Sequence, residues 1–237
     1  MSFDLFRAFE TGAAVVEERR FHKKYSPLSR SLEPIGGKVK RGVDIAFAIC
    51  FASLCLPLFL GLILMIKITS RGPVFYGHTR IGFNGRKFRC WKFRSMYENG
   101  DSILEKHFRE YPEDRLIWQQ ERKLKNDPRV TPIGAVLRKL SLDELPQIVN
   151  VLTGEMSLIG PRPVVEDELE IYATSRKHYL RSRPGVTGLW QVSGRSDTSY
   201  FERIKLDRYY VTQWRPLLDL WILFRTIPAV LLSRGAH

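Results

Sequence analysis

Hydrophobic positions are spread unevenly along the chain, and the strongest signal is a run from Ile45 to Ile66, 22 residues without a charge. Lys38, Lys40 and Arg41 precede it, and Lys67 and Arg71 follow it. At ~1.5 Å per residue this helix reaches across a ~30 Å hydrocarbon core, so length alone permits a simple span. Two features favour a re-entrant course. Pro57 lies just past the middle, where it removes a backbone donor and bends a helix, and both flanks are basic although Lys and Arg normally concentrate on one side. A helix that enters, bends at Pro57 and leaves on the same face satisfies both, with a kinked spanning helix as the alternative. The run starts too late and lacks the small-residue cleavage site of a signal peptide.

Downstream the periodicity changes. Val74 to Ile81 and Lys87 to Phe93 alternate as two strands around Asn84-Gly85, a strong hairpin signal. Arg80, Arg86, Lys87, Arg89, Lys92 and Arg94 on this hairpin suit anionic lipid headgroups better than single-stranded nucleic acid, given the membrane segment beside them. Asp101 to Lys125 is polar and helical with a break at Pro112, an exposed lid or insertion without chemistry of its own. Thr131-Pro132 opens a short helix ending near Leu140. Gly154 is a stop, Gly160-Pro-Arg-Pro163 a rigid turn, and a helix is expected from near Pro163 to about Arg181. Residues Arg183 to Arg195 read as a turn, a strand and a glycine bend. Ser199-Tyr-Phe-Glu202 is a capping box for a helix to about Gln213 that carries Asp207. Leu217 to Leu232 is apolar but interrupted by Asp219, Arg225 and Pro228, which suits an interfacial or core helix rather than a span.

These elements divide the chain into a basic flexible tail over 1–38, a re-entrant membrane segment over 39–71 and a cytoplasmic catalytic domain with interfacial helices over 72–237. The tail holds Arg19, Arg20, Lys23 and Lys24 and ends in Pro34-Ile-Gly-Gly37; its Phe3 to Val16 segment is amphipathic enough to lie on a membrane. The fold class expected is α+β: a mainly helical monotopic membrane protein with a small β-hairpin.

Composition adds a partner class. With 237 residues and a net charge of +13, the protein calls for an anionic partner: nucleic acid, an anionic membrane face or a phosphorylated substrate. Cys50, Cys55 and Cys90 show no metal-binding spacing, which fits a reduced, cytoplasm-facing protein.

The candidate chemistry lies in Arg138-Lys-Leu-Ser-Leu-Asp-Glu-Leu-Pro-Gln147. Ser141 and Glu144 have the spacing of a capping box, which puts Asp143 and Glu144 in a first helical turn that keeps carboxylates ionised and attracts phosphate. The plain alternative is that these residues only cap a helix. Arg138, five residues before Asp143, offers a bidentate phosphate donor or simply complements its own helix terminus. Arg162, Arg183 and Arg195 stand beside glycines or prolines in loops, where ligands approach the backbone. No dinucleotide or phosphate-loop glycine motif, zincin motif or serine-hydrolase elbow occurs. What remains suits movement of a phosphate-bearing group onto a lipid-borne acceptor.

On these motifs the chain resembles the bacterial sugar transferases, monotopic phosphoglycosyl transferases that move a sugar 1-phosphate from a UDP-sugar to undecaprenyl phosphate. The matching pieces are Lys40-Arg41-x-x-Asp44, Lys92-Phe-Arg-Ser-Met96, Asp127-Pro-Arg-Val-Thr131, Leu137-Arg138, Ser141-Leu-Asp-Glu-Leu-Pro-Gln147, Asn150-Val-Leu152, Met156-Ser157, Gly160-Pro-Arg-Pro163 and Arg183 through Arg195, over roughly residues 38 to 232. Within the family it is similar to galactose- or glucose-phosphate transferases that start exopolysaccharide units.

The resemblance implies Asp143 as the nucleophile of a phosphosugar-aspartyl intermediate with release of UMP. It implies Glu144 as a Mg²⁺ ligand or an aid to the acceptor, both acids as metal ligands, and phosphate held by Arg138 and Arg162. The candidate substrate set is Arg138, Arg162, Arg183, Arg195 and Asp207. Expected partners are the UDP-sugar, undecaprenyl phosphate and the cytoplasmic face of the inner membrane, with a homodimer left open and no nucleic acid. Two positions depart from the family pattern. Leu56 stands where some members have a serine before the bending proline, and Glu155 stands where aspartate is usual. Large members carry a further multispan amino-terminal part that this chain is expected to lack. A different class of protein, a basic membrane-attached scaffold without catalysis, is the competing reading.

Overall fold

The computed structural model describes residues 33–121, 124, 126–194 and 199–231. Arg195 and most of the expected tail lie outside these residues.

The apolar run lies within one helix, α1 (Gly37–Thr69), which continues through Pro57 and is long and apolar enough to cross a membrane. Its middle is exposed, with Leu54, Leu56 and Leu60 outward, whereas both of its ends pack on the rest of the protein. Near the first end, Lys40 meets Asp219 at 2.5 Å, Arg41 donates to the carbonyls of Val151 and Leu152, and Ala48 is fully buried. Asp44 accepts from Ser157 Oγ and the Leu158 N–H, both at 3.1 Å. Toward the second end, Leu62 and Ile66 join Val74, Phe93 and Leu137 in an apolar cluster. One body therefore holds both flanks.

The hairpin forms as its sequence predicts, β1 (Phe75–Ile81) against β2 (Lys87–Phe93), antiparallel with Ile81 opposite Lys87. Asn84 and Gly85 both take positive φ in the turn, the conformation that Asn-Gly supplies. Its cations, however, do not all reach outward. Arg80 pairs with Glu168, Lys87 with Glu166 and Lys92 with Glu144, and Arg94 is buried against the carbonyls of Ser70 and Arg71. Only Arg86 and Arg89 stay exposed without these ties, because the acids that neutralise the others sit on the neighbouring segments.

The polar insertion forms α2 (Gly100–Glu110) and α3 (Pro112–Glu121), broken at Pro112 as expected. Thr131 caps α4 (Pro132–Lys139), its Oγ1 accepting from the Gly134 N–H at 2.9 Å. A single 3-10 turn (Leu142–Glu144) follows, then α5 (Gln147–Thr153), closed by left-handed Gly154. The GPRP turn follows β3 (Ser157–Ile159), which pairs in parallel with β4 (Gly185–Thr187). The long helix expected over 163–181 is instead broken into α6 (Glu166–Ile171) and α7 (Arg176–Tyr179). Val164 is spent on a bridge to Ile81, and Ala173 turns left-handed at φ 43°, so the helix starts late and stops early. The strand expected within 183–195 is confined to β4, and a short helix, α8 (Leu189–Ser193), follows it before the glycine bend. Ser199 and Glu202 form their capping box and open α9 (Tyr200–Thr212). The last helix, α10 (Pro216–Leu231), buries Ile222 and exposes Leu217, Leu220, Trp221, Phe224 and Ile227, the amphipathic arrangement of a helix with one face for the protein and one for an apolar medium. The result is a mainly helical protein with a small hairpin.

Candidate active site

The reversal between α4 and α5 presents the acid pair, but not by the expected cap. Ser141 adopts φ 55°, its side chain makes no capping bond, and the next α-helix begins only at Gln147, after Pro146. The chain must turn back within a few residues of α4, and left-handed Ser141 achieves this while its carbonyl accepts from the Glu144 N–H at 3.3 Å. Asp143 and Glu144 therefore lie in the 3-10 turn rather than in a helical first turn.

The electrostatic partner of the pair is a residue that the sequence reading had assigned to lipid. Lys92 Nζ lies 2.6 Å from Glu144 and 3.5 Å from Asp143. Burial pushes the Asp143 carboxyl above the ordinary carboxylate range, and Glu144 adds to that, while Lys92 and Arg138 oppose it. Burial also works against the Lys92 ammonium, but Glu144 and Asp143 outweigh it and hold the pKa above its usual value. A buried carboxyl that is short of water and set against a fixed cation is a chemically useful group, since it approaches phosphate without a hydration shell to shed. The signal for Lys92 was available in the strand period. Phe88, Cys90 and Lys92 share one face of β2, and it is on this face that Lys92 meets the acids.

That face continues across the hairpin through Arg80, His78 and Tyr76, the register partners of Phe88, Cys90 and Lys92. Burial, then the Arg80 and Lys92 charges, hold the His78 imidazole below its usual pKa against the pull of Glu168. Burial pushes the Cys90 thiol up to about 11, and the charges of Lys92, Glu144, Arg80 and Arg162 all act on it.

The expected site residues divide into two groups. Arg138, exposed in the last turn of α4, acts on Asp143, and Arg162 lies 5.7 Å above the Trp190 ring toward the hairpin face. Arg203 covers the same ring at 4.6 Å, a second guanidinium that no motif had indicated. Asp207 is not open to the cleft. It is 2% exposed, it accepts from the Tyr172 hydroxyl at 2.7 Å, and burial pushes its carboxyl up to about 7. The Tyr172 hydroxyl and Arg162 pull the other way. Arg183 is apart from the pair as well. Its Nε donates to the Gly154 carbonyl at 2.8 Å, beyond the C-terminal end of α5, whereas Asp143 precedes the N-terminal end, with roughly 10 Å of helix between. Burial and Arg41 hold the Arg183 guanidinium below its usual pKa. It lines a separate cavity of about 560 Å³ together with Lys38, Arg41 and Arg86. Glu155, which stands where aspartate is usual, accepts from Asn150 Nδ2 at 2.7 Å.

Whether the acids fit a divalent cation can be judged from their geometry. The Lys92 ammonium already bridges them, so both carboxylates converge on one positive charge. No cluster of three or more metal-ligating side chains occurs among the described residues. Mg²⁺ needs none, because it ordinarily takes one or two carboxylates and completes its shell with water and substrate phosphate.

Comparison with known proteins adds an independent line. A family model described as bacterial sugar transferase matches residues 35–233. The chain is 56% identical over 207 residues to the exopolysaccharide production protein ExoY of Rhizobium meliloti (strain 1021), covering 87% of this chain and 92% of that protein. It is 50% identical over 199 residues to a UDP-galactose-lipid carrier transferase of Erwinia amylovora, covering 84% and 42% respectively. Against the UDP-glucose:undecaprenyl-phosphate glucose-1-phosphate transferase of Escherichia coli (strain K12) the identity is 35% over 214 residues, covering 87% and 43%.

Proposed function

The chain belongs to the bacterial sugar transferase family, and from that premise we propose that it moves galactose or glucose 1-phosphate from a UDP-sugar onto undecaprenyl phosphate. This is the first membrane step of an exopolysaccharide. The observation that carries the reading is the buried Asp143 carboxyl, bridged to Glu144 by Lys92 in a turn that packs against the membrane-helix body. The names of the relatives, which act on UDP-galactose or UDP-glucose and on a lipid carrier, support the substrate class.

The reaction runs in two displacements. An Asp143 carboxylate oxygen attacks the sugar-bearing phosphorus, the bond to the bridging oxygen breaks, and UMP leaves with that electron pair. A phosphate oxygen of undecaprenyl phosphate then attacks the phosphosugar-aspartate, and the Asp143 carboxylate returns as leaving group. No water enters either step, and each requires the phosphorus to meet concentrated positive charge. Lys92 supplies fixed charge beside the nucleophile, Arg138 approaches from α4, and Arg162 with Arg203 faces the cleft from the Trp190 side. Asp143 and Glu144 would hold Mg²⁺, which when bound neutralises charge on the transferring phosphate.

The membrane course follows the same logic. Both flanks of α1 pack on one body, so that body and both flanks share one side of the bilayer, and the exposed middle of α1 enters the hydrocarbon and returns. Cytoplasmic UDP-sugar fixes that side as the inner face of the inner membrane.

The test is UMP release from a panel of UDP-sugars with added undecaprenyl phosphate and Mg²⁺. UDP-galactose or UDP-glucose is expected to turn over in an acceptor-dependent manner. Absence of turnover with every sugar would leave the non-catalytic scaffold standing.

A further inference from the structure

Strand β2 carries Lys92, and one edge of β2 is held by β1. The other edge is held by a side chain. Asn150, fully buried in α5, accepts from the Trp91 main-chain N–H at 3.0 Å and donates to the Arg89 main-chain carbonyl at 2.7 Å. Residues 89 and 91 turn these groups to the same edge, as alternate residues of a strand do, so the Asn150 amide completes the ladder as a one-residue strand. Its orientation is fixed by chemistry. Nδ2 meets two acceptors, Arg89 O and Glu155 Oε2, while Oδ1 meets a donor, and rotation of the amide would break all three bonds. Glu155 in turn accepts from Thr153 Oγ1 at 3.1 Å, so its carboxylate is itself oriented. The backbone of Asn150 is equally committed, its carbonyl accepting from the N–H groups of Glu155 and Met156.

We propose that Asn150 is a positioning residue that acts through Lys92: its amide sets the height of β2 so that the ammonium reaches both Asp143 and Glu144, and Glu155 locks the amide. This rests on the reading of the acid pair given above. One bond of Asn150 falls on Trp91, directly before Lys92, the other on Arg89, and the turn bearing the acids packs against the same strand. Loss of the clamp frees a Trp91 N–H and an Arg89 carbonyl inside the protein, and β2 shifts to satisfy them. A displacement of about 1 Å at a catalytic group costs on the order of a hundredfold in rate. Glu155, with a side chain longer than the usual aspartate, thereby has a definite duty, at the outer end of the clamp rather than at the phosphate.

The test is a double-mutant cycle on the membrane-reconstituted enzyme. Asn150→Ala is expected to lower kcat by roughly tenfold to a hundredfold with the KM for UDP-sugar nearly unchanged. In a Lys92→Met background the same substitution should change the residual rate by no more than about twofold, since the group it positions is gone. Equal losses in both backgrounds would make Asn150 a general structural residue and overturn the proposal. Glu155 is exposed, so its substitutions alter the bond to the Asn150 amide without opening the core. Glu155→Gln keeps an acceptor and should retain the rate, whereas Glu155→Ala should lose about fivefold; identical rates for the two would also overturn it. A readout independent of turnover separates this inference from the functional reading. Hydrogen exchange in Asn150→Ala should accelerate in peptides containing Trp91 and not in those of α9. An enzyme that releases no UMP but shows this exchange pattern refutes the reaction and keeps the clamp; unaltered exchange at Trp91 removes the clamp whatever the turnover.

Discussion

The Asp143 carboxyl group is largely buried and has a cation, Lys92, 3.5 Å away. If the turn only reversed the chain, Asp143→Asn would be nearly silent, because asparagine matches the shape and the residue makes no capping bond. As a nucleophile it cannot be replaced, since a neutral amide does not attack phosphate. Asp143→Asn is therefore expected to abolish UMP release without lowering the melting temperature. The wild type incubated with UDP-sugar and Mg²⁺ but no acceptor should gain the mass of one sugar phosphate on a peptide containing Asp143; early-quenched samples that never carry it would favour direct transfer. Asp207 is a second buried acid, its carboxyl pushed well above the ordinary range. Its carboxyl, near 3.8 in the unfolded chain and about 7 in the folded one, binds its proton more tightly when folded. Stability from this residue is complete below about pH 4 and falls by about 1.4 kcal/mol per unit as pH rises toward 7. Asp207→Asn carries no such titration. The melting temperature of the variant relative to wild type should climb between pH 5 and pH 8; parallel curves would show that Asp207 is already ionised.

At the scale of elements, sequence pattern was informative where a local rule decides the outcome and silent where two distant segments meet. Thr131-Pro132, Asn84-Gly85 and Ser199-x-x-Glu202 each closed or opened the element they signalled, because caps and tight turns are settled within four residues. The same rule misled at Ser141, where the need to reverse the chain between α4 and α5 overrode the capping geometry. It misled again over 163–181, where a bridge to Ile81 competed for Val164. Lys92 reads as lipid-facing from sequence, and Arg203 and Asn150 carry no role there, for a related reason: the partners that give them meaning are 52, 13 and 59 residues away along the chain. Asp143, Glu144, Arg138 and Arg162 were legible as candidates from motif alone, and the structure brings all four to the hairpin side of the molecule, with Arg183 elsewhere. The GPRP turn shows how closely its elements meet. A Cβ at Gly160 would overlap the Arg183 carbonyl and the Gly185 N–H group across the β3–β4 pair. Gly160→Ala is expected to destabilise by about 1–3 kcal/mol, read as a lowered denaturation midpoint, and to misalign Arg162 two residues on. An unchanged midpoint would mean that the two strands separate at little cost.

For the molecule as a whole, the decisive question is on which side of the bilayer each end of α1 lies. A spanning helix leaves its two ends on opposite faces, so a single soluble body can hold only one of them. Here the first end is fixed by Lys40 to Asp219, Asp44 to the Leu158 N–H and buried Ala48, and the second by Ile66, Leu62 and the Arg94 contacts with Ser70. Pulling either end away would strand charged or polar groups, Asp44 and Arg94 among them, without their partners in a low-dielectric interior, at a cost of several kcal/mol. The proposed re-entrant course keeps both ends attached, with the exposed apolar middle of α1 turned to the membrane. Cysteines introduced at exposed Lys38 and Arg71, in a background lacking Cys50, Cys55 and Cys90, should both resist an impermeant thiol reagent added outside intact cells and both react once the membrane is permeabilised. On the proposed re-entrant course, Pro57 sets how sharply the helix returns. Its replacement by alanine restores one backbone donor and straightens the segment, so Pro57→Ala should shift a fraction of molecules to a form in which one cysteine labels from outside, with a matching loss of UMP release. External labelling of either cysteine in the parent protein would mean that α1 spans, and the body would then have to release one of its two ends.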